Sequence, residues 1–251
     1  MMLHKINRIL PHFIQRLVRM KYYEYKFKKA GVSDEMEIGV LSTIIESGST
    51  VLDIGANYGL YTKFLSKFTG TTGMVHSFEP VAKTFDVLKN NVSKFKLTNV
   101  RLHNLALSDA VGFAKMSIPQ YEKGGENLYE AHISNDGTGE EVVTNTIDNV
   151  MKDEVVHFIK CDAEGHDLAV LRGAINLLER DHPMLMLEIN GGINSNEPDI
   201  KALLDYLYEF NYEAFIPNNK LLIKPIEEYR GVNFFFLNAD HIEKLSDKVR
   251  I

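Results

Sequence analysis

Acidic residues stand at the ends of several short apolar segments in this chain of 251 residues. Asp53 lies in the first such segment, Glu79 ends the second, and Asp162 follows a later one. Apolar runs of this length, bounded by turn residues, are typical of the buried strands of a parallel sheet, which place their ligands at their carboxyl ends. A carboxylate there can bind a hydroxyl, neutralise a cation or accept a proton. The pattern therefore predicts a ligand site at one edge of a sheet.

A glycine-containing turn follows the first segment, in the stretch Asp53–Gly59. Gly55 and Gly59 permit tight turning and the close approach of a ligand, and the Asp53 carboxylate can accept hydrogen bonds from a cationic or amine-bearing cofactor. Glu79 comes 26 residues after Asp53, where an acid can hold the two hydroxyls of a ribose. Together these residues predict a nucleoside cofactor. NAD is the alternative, although its usual G-x-G-x-x-G loop is replaced here by G-x-N-x-G.

Asp162 and Glu164 are candidates for a general base at the end of the strand predicted over 156–161. Residues two apart point to the same side of an extended backbone, so both carboxylates can converge on one pocket. The competing interpretation is that one of them caps the following helix. His166 fits a surface position in that turn better than a catalytic one.

Glu188, at the end of a further apolar segment, is a third acid at the same edge, with a role in orienting substrate or in a structural hydrogen bond. Oxygen ligands from Asp162, Glu164 and Glu188 are compatible with Mg²⁺ or Ca²⁺, but their spacing does not require a metal, and we predict none. The single cysteine, Cys161, fits a packed core position and cannot form an internal disulfide.

The surrounding pattern predicts an α/β fold with a mostly parallel, seven-stranded Rossmann-like sheet and helices on both faces. The predicted strands are 50–54, 74–78, 100–104, 156–161 and 183–189, followed by an antiparallel pair at 212–216 and 232–237. The predicted helices are 59–68, 81–95, 167–179 and 198–210. Residues 107–150 are expected to form an insertion containing a hairpin and a mobile loop.

Composition limits the functional classes. The length suits one catalytic domain, over 49–251, and no apolar run is long enough to span a bilayer. A single cysteine and the absence of a secretory signal pattern favour a reducing, cytoplasmic location. The net charge of -6 combines +7 over residues 1–29 with -13 over the remainder, and this acidic body disfavours nucleic acid as a partner.

The N-terminal segment, 1–48, is basic and has helical periodicity. Six apolar residues recur at three- and four-residue intervals: Phe13, Ile14, Leu17, Val18, Tyr22 and Tyr25. Pro11 is expected to start this helix and Gly31 to end it. Two interpretations remain open: a helix that caps the main domain with a solvated basic face, or one that also contacts an anionic membrane surface or partner.

Residues 49–190 resemble the FkbM family of methyltransferases. The motifs that carry the resemblance, in order, are Asp53–Gly59, Phe78–Pro80, Asn104–Asp109, Thr146–Asp148, Ile159–Gly165 and Leu171–Ala174. Cys161 and Ala163 depart from the branched apolar residues more usual in the family. If Ile159–Gly165 and the Leu171–Ala174 segment that follows it are counted as one, these are five motifs in order, which are far more specific than one glycine loop.

The resemblance implies O-methylation of a hydroxyl, on a sugar, a glycan or a related metabolite, with S-adenosylmethionine as the methyl donor and S-adenosylhomocysteine as its product. It implies that four residues surround the methionine part of the cofactor: Asp53, Gly55, Asn57 and Gly59. Asp162 is expected to be a further cofactor-binding residue. Glu79 would hold the ribose, and Asn104 and Ala106 would border the adenine. The alternative is a nucleoside-binding protein without methyltransferase activity.

Overall fold

The computed structural model describes residues 11–120, 126–134 and 136–251. Its main sheet has the order β13-β11-β10-β12-β9-β8-β1-β2-β3. The strands of this sheet are β1 Thr50–Ile54, β2 Met74–Phe78, β3 Val100–His103, β8 Phe158–Cys161, β9 Met184–Glu188, β10 Glu213–Asn218, β11 Leu221–Ile223, β12 Asn233–Leu237 and β13 Val249–Arg250. Four further strands, β4 Ala106–Leu107, β5 Gly112–Ser117, β6 His132–Ile133 and β7 Glu140–Asn145, form a second sheet.

The helices are α1 His12–Lys29, α2 Met36–Ile44, α3 Leu60–Thr69, α4 Ala82–Lys94, α5 Ile147–Val150, α6 Asp167–Arg172, α7 Ile175–Asp181, α8 Pro198–Glu209 and α9 Ala239–Lys244. Alternate strand residues enter two hydrophobic cores. Leu52 and Leu185 belong to a core that includes residues of α6, α7 and α8, while Val51 and Met186 belong to another with residues of α2 and α3. Helices therefore cover both faces of the sheet, as predicted.

Seven strands of the main sheet match the seven that the sequence predicts. Strand β1 is parallel to both β2 and β8, and β12 is antiparallel to both β9 and β10. The predicted count is nevertheless wrong, because two short strands, β11 and β13, extend the sheet to nine among the described residues. They contain only three and two residues, too few for a periodic signal in the sequence.

The insertion is more ordered than a hairpin with a loop. Strands β5 and β7 form the hairpin, and β4 and β6 pair on either side of it. Part of the predicted loop, residues 121–125 and 135, lies outside the described residues. The insertion therefore forms a small sheet that covers one end of the main sheet.

The helix predicted over 167–179 is divided at Gly173. A Cβ atom at Gly173 would lie 2.0 Å from the carbonyl oxygen of Ser108, so only glycine allows the insertion to approach here. The Asp148 carboxylate then accepts hydrogen bonds from the backbone N–H groups of Asn176 and Leu177, at 3.1 and 2.9 Å, in the first turn of α7. The interruption between α6 and α7 is thus the place where Ser108 and Asp148 of the insertion contact the main domain.

Candidate active site

A cleft opens at the carboxyl ends of β1, β2 and β8, where the sequence predicts the ligand site. The open space within it, including its mouth, is about 630 Å³. Its walls come from the loops after these three strands and from the insertion. The lining residues are Ile54, Gly55, Asn57, Phe78, Glu79, Pro80, Val81, Leu105, Ala106, Leu107, Met116, Leu128, Tyr129, Ala131, Ile133, Asp162, Ala163, Glu164 and His166.

The loop after β1 is shaped by residues with positive φ. Gly55, Asn57 and Gly59 have φ values of 69°, 50° and 96°. A Cβ atom at Gly55 would lie 2.0 Å from the carbonyl oxygen of Asp162, so glycine is required there to let the loops after β1 and β8 touch. Gly59 lies behind the cleft at the start of α3 and does not line it.

Asp53 is placed differently from the prediction. Its side chain is fully buried and does not line the cleft; one carboxylate oxygen accepts a hydrogen bond from Thr62 at 2.5 Å. Its other oxygen has no hydrogen-bond partner among the described residues and lies 3.8 Å from the Lys160 ammonium. Burial raises the pKa of Asp53, while Lys160 and Thr62 oppose that shift. Asp53 therefore contacts Thr62 and Lys160 beneath the loop after β1 and does not face the cleft.

Lys160 is a buried cation next to the cleft that was not predicted from the sequence. Its Nζ donates to the carbonyl oxygens of Ile54 and Gly55 and to the Asp162 carboxylate, each at 3.1 Å. All three ammonium protons are thereby used, although the side chain is only 3% exposed. Burial lowers the pKa of Lys160, but the carboxylates of Asp162 and Asp53 outweigh it and the net shift is upward. The feature of the sequence that could have revealed this role is a lysine within the otherwise apolar strand β8, where its charge must be paired.

Glu79 is fixed by the backbone at the end of β2. One carboxylate oxygen accepts from the N–H of Asn57 at 3.0 Å and the other from the N–H of Val81 at 2.9 Å. Each oxygen keeps lone pairs that can accept further hydrogen bonds from a ligand. Burial raises the pKa of Glu79 to about 7, against the lowering effect of the two N–H donors. The carboxylate is therefore positioned before any ligand arrives.

Asp162 and Glu164 both line the cleft, although the backbone between them is not extended as the prediction assumed. The chain turns after β8, and Glu164 has a φ of 50°. Asp162 is paired with Lys160, whereas the Glu164 carboxylate makes no hydrogen bond to the described residues. Glu164 does not cap α6, whose first turn begins at His166 without a side-chain cap. Burial, followed by the charges of Asp162 and Glu188, raises the pKa of Glu164 to about 7.

The remaining predicted residues divide between the cleft and its surroundings. Ala106 lines the cleft. Asn104 does not, because its amide donates to the carbonyl oxygens of Glu79 and Pro80 at 2.8 and 3.0 Å and so braces that turn. Glu188 also lies outside the lining, where its carboxylate accepts a hydrogen bond from Asn190 at 3.2 Å.

His166 is not the surface histidine that the sequence suggested. Its Nε2 lies 2.9 Å from the Ser108 hydroxyl, and its side chain lines the cleft. Burial lowers the pKa of His166. Within the described part of the chain, no group of three acidic, histidine or cysteine side chains is arranged to hold a metal ion.

Comparison with known proteins identifies the family. The model of the methyltransferase FkbM domain matches residues 53–214. A hexuronic acid methyltransferase, AglP, from Haloferax volcanii is 28% identical over 167 residues, which cover 63% of this chain and 62% of that protein. A crystal structure of a methyltransferase FkbM from Methylobacillus flagellatus KT superposes with a TM-score of 0.53 at 17% identity, covering 93% of this chain and 57% of that one.

The chain thus spans less than two thirds of the length of either relative. The matched region contains the glycine loop, the Glu79 turn, the insertion and the loop after β8, so every part of the cleft described above falls inside it. The FkbM structure shares the α/β architecture of this chain. On the strength of the family match, the chain belongs to the FkbM methyltransferase family.

Proposed function

We propose that this protein is an S-adenosylmethionine-dependent O-methyltransferase that acts on a hydroxyl of a sugar or glycan. One observation carries the proposal: the same cleft contains a backbone-fixed carboxylate, Glu79, and a carboxylate without a hydrogen-bond partner in the described chain, Glu164. The first suits a bound nucleoside and the second suits an acceptor proton. A site for nucleoside binding alone would not need the second.

The residues present fit S-adenosylmethionine. Glu79 has free lone pairs for the ribose hydroxyls, and Phe78, Leu105 and Ala106 offer apolar walls for an adenine. Asp162 also lines the cleft, and because only one of its oxygens is bonded to Lys160, the other can face a bound sulfonium. When bound, the cofactor supplies an electrophilic methyl group.

Glu164 is the residue that we assign as general base. A hydroxyl is a poor nucleophile unless its proton is taken up as it attacks, and positioned bases contribute about 10² to 10⁴ in rate. A carboxyl with a pKa of about 7 accepts this proton more readily than an ordinary carboxylate would. Asp162 is less suited, because the Lys160 ammonium already uses one of its oxygens. We assign Asp162 to positioning.

The sugar or glycan acceptor is supported by the relative named as a hexuronic acid methyltransferase. The insertion contributes Met116, Leu128 and Tyr129 to the lining of the cleft, and we assign this wall to the acceptor. Aromatic and apolar side chains of this kind suit the faces of sugar rings, and Tyr129 adds a hydroxyl for hydrogen bonding.

Calorimetric titration and turnover assays test the proposal in two steps. S-adenosylhomocysteine should bind in the micromolar range or tighter and NAD should not; tight NAD binding with no S-adenosylhomocysteine binding would refute the cofactor assignment. A panel of sugars, uronic acids and glycolipids is then assayed for S-adenosylhomocysteine release. On the best acceptor, Glu164→Gln should lower kcat by about 10² or more. Its affinity for S-adenosylhomocysteine should stay within about threefold, because the base belongs to the acceptor side.

Glu141→Gln is the matched control, since Glu141 is an exposed acid on β7 paired with Lys115. It should retain full turnover. A Glu164→Gln variant with normal turnover would show that another group takes the proton. The absence of any turnover on the panel, together with normal S-adenosylhomocysteine binding, would count against the sugar acceptor and leave the cofactor assignment intact.

A further inference from the structure

The N-terminal helix α1 presents two different faces. Its inner face, formed by Met20, Tyr23 and Phe27, packs against the main domain, and Phe27 is fully buried. The Tyr23 ring stacks on Tyr58 of the glycine loop, with ring centres 4.8 Å apart. Lys63 donates to the last carbonyls of the helix region, which fixes its C-terminal end. These contacts hold the helix on the domain, and they do not involve the predicted apolar stripe that includes Phe13, Leu17, Tyr22 and Tyr25.

That stripe lies on the outer face of α1. Its large members are exposed: Phe13 by 66%, Leu17 by 55%, Tyr22 by 45% and Tyr25 by 60%. With 3.6 residues per turn, the stripe spans roughly half of the helix circumference. Phe13 and Tyr22 lie at the two edges of this half, and Leu17 and Tyr25 lie between them. Exposed apolar residues scattered singly are ordinary, but four within one half of a helix surface indicate a region that contacts something apolar.

Basic residues interrupt the same face. At 3.6 residues per turn, Lys21, Lys28 and Lys29 fall between the apolar side chains, and all three are exposed. The single acid of the helix, Glu24, is paired with Lys94 at 2.7 Å and with Lys21 at 3.2 Å. Residues 11–29 contain six basic residues and one acid, a charge of +5, while residues 30–251 carry -13.

We propose that the outer face of α1 docks this protein on an anionic phospholipid bilayer, with the helix lying in the membrane interface. Aromatic and leucine side chains enter the headgroup boundary, and the lysine ammonium groups reach lipid phosphates while their aliphatic stems cover apolar surface. The acidic body is repelled from such a surface, so the attraction is confined to the helix.

A protein groove is a poorer match than a bilayer. Grooves that bind amphipathic helices take up a narrow apolar stripe and leave charged residues at its sides. Here lysines fall within the stripe, where a groove would have to desolvate them. A bilayer interface accommodates both kinds of side chain on one face. No helix in the described part of the chain is long and apolar enough to cross a bilayer, so this contact would be peripheral.

Vesicle flotation with the full chain tests the proposal. We expect binding to phosphatidylcholine vesicles that contain about one third phosphatidylglycerol, weakening as salt is raised, and little binding to pure phosphatidylcholine. Each basic residue near an anionic surface contributes roughly fivefold, so Lys21→Gln, Lys28→Gln and Lys29→Gln combined should lower binding by roughly 100-fold. Phe13→Ser with Leu17→Ser should lower it at least about tenfold at unchanged lipid charge.

Two control variants replace side chains that are equally exposed but lie outside α1. Phe113→Ser replaces a phenylalanine that is 72% exposed on β5, and Lys152→Gln replaces a lysine whose side chain is 70% exposed. Both should bind vesicles like the unmodified protein, and circular dichroism should show that every variant is folded. The proposal is overturned if the protein does not float with the anionic vesicles, or if the lysine variants bind as well as the controls. It is also overturned if the same substitutions instead abolish a dimer seen by light scattering.

Discussion

Replacing Lys160 by methionine should destabilise the protein strongly. The change keeps most of the volume of the side chain but removes the ammonium that the carbonyl oxygens of Ile54 and Gly55 and the Asp162 carboxylate accept from. Breaking a buried ion pair by removing one partner costs about 3–5 kcal/mol. Because Asp162 keeps 27% of its side chain exposed and can be rehydrated, we place the loss at the lower end, about 3 kcal/mol.

Urea unfolding followed by circular dichroism at about pH 7 measures this loss. The matched control is Lys115→Met, which breaks a 3.2 Å pair with Glu141 in which both side chains are at least 40% exposed; it should cost less than about 1 kcal/mol. A double variant, Lys160→Met with Asp53→Asn, should recover part of the loss, because it removes the buried carboxylate that lost its cation.

The pH dependence gives an independent check with a definite sign. Lys160 opposes the raised pKa of Asp53, so Lys160→Met should raise that pKa further. A carboxyl with a higher pKa in the folded than in the unfolded state holds its proton more tightly when folded, so stability falls as pH rises between the two values. The stability deficit of the variant should therefore shrink as pH is lowered from about 7 toward the ordinary Asp pKa of about 3.9. A loss no larger than that of the exposed control, with no dependence on pH, would refute this account of Lys160.

Three further perturbations probe the loops and the insertion. Gly55→Ala should cost at least about 2 kcal/mol more than Gly165→Ala in urea unfolding, because both positions have positive φ but only the first would place a Cβ against the Asp162 carbonyl oxygen; equal losses would contradict the clash. In calorimetry the affinity for S-adenosylhomocysteine should rise with pH through about 7 as Glu79 ionises, and Glu79→Gln should bind about tenfold or more weakly with no such rise. Asp148→Ala should lower the free energy of unfolding by about 1–2 kcal/mol through the lost helix cap, and a smaller change would show that water replaces it.

Much of the fold follows from the sequence because apolar runs and turn residues act locally. The segments around Val51, Val75 and Ile159 are mostly apolar and are bounded by turn residues, and they become β1, β2 and β8, whose carboxyl ends meet at the cleft. The position of the site was therefore predictable. The two short edge strands and the break at Gly173 were not, because they depend on contacts with distant parts of the chain, such as Ser108.

The same reasoning explains why the roles of individual acids were harder to predict. Asp53 and Glu79 look alike in the sequence, each an acid at the end of an apolar strand. Asp53 lies within the hydrogen-bonded part of β1, paired with Ser77 and Lys160 in the neighbouring strands, so its side chain is enclosed. Glu79 comes one residue after β2; it is also buried, but its side chain lines the cleft. A difference of one or two residues in strand register separates an acid enclosed by the sheet from an acid that lines the cleft, and periodicity does not resolve it.

The number of lone pairs that each carboxylate has left for a ligand distinguishes the acids of the site more clearly than their positions in the sequence do. Asp162 gives one of its oxygens to Lys160. Glu79 accepts one backbone hydrogen bond on each oxygen and retains capacity for a ligand, whereas Glu164 accepts none from the described chain. A half-buried carboxylate without a hydrogen-bond partner is destabilising because it loses solvation, and a positive φ adds backbone strain. Destabilising features of this kind are concentrated at functional sites. Of the three cleft carboxylates, Glu164 has the fewest structural contacts, and this is the physical argument for the role in proton transfer that we propose for it.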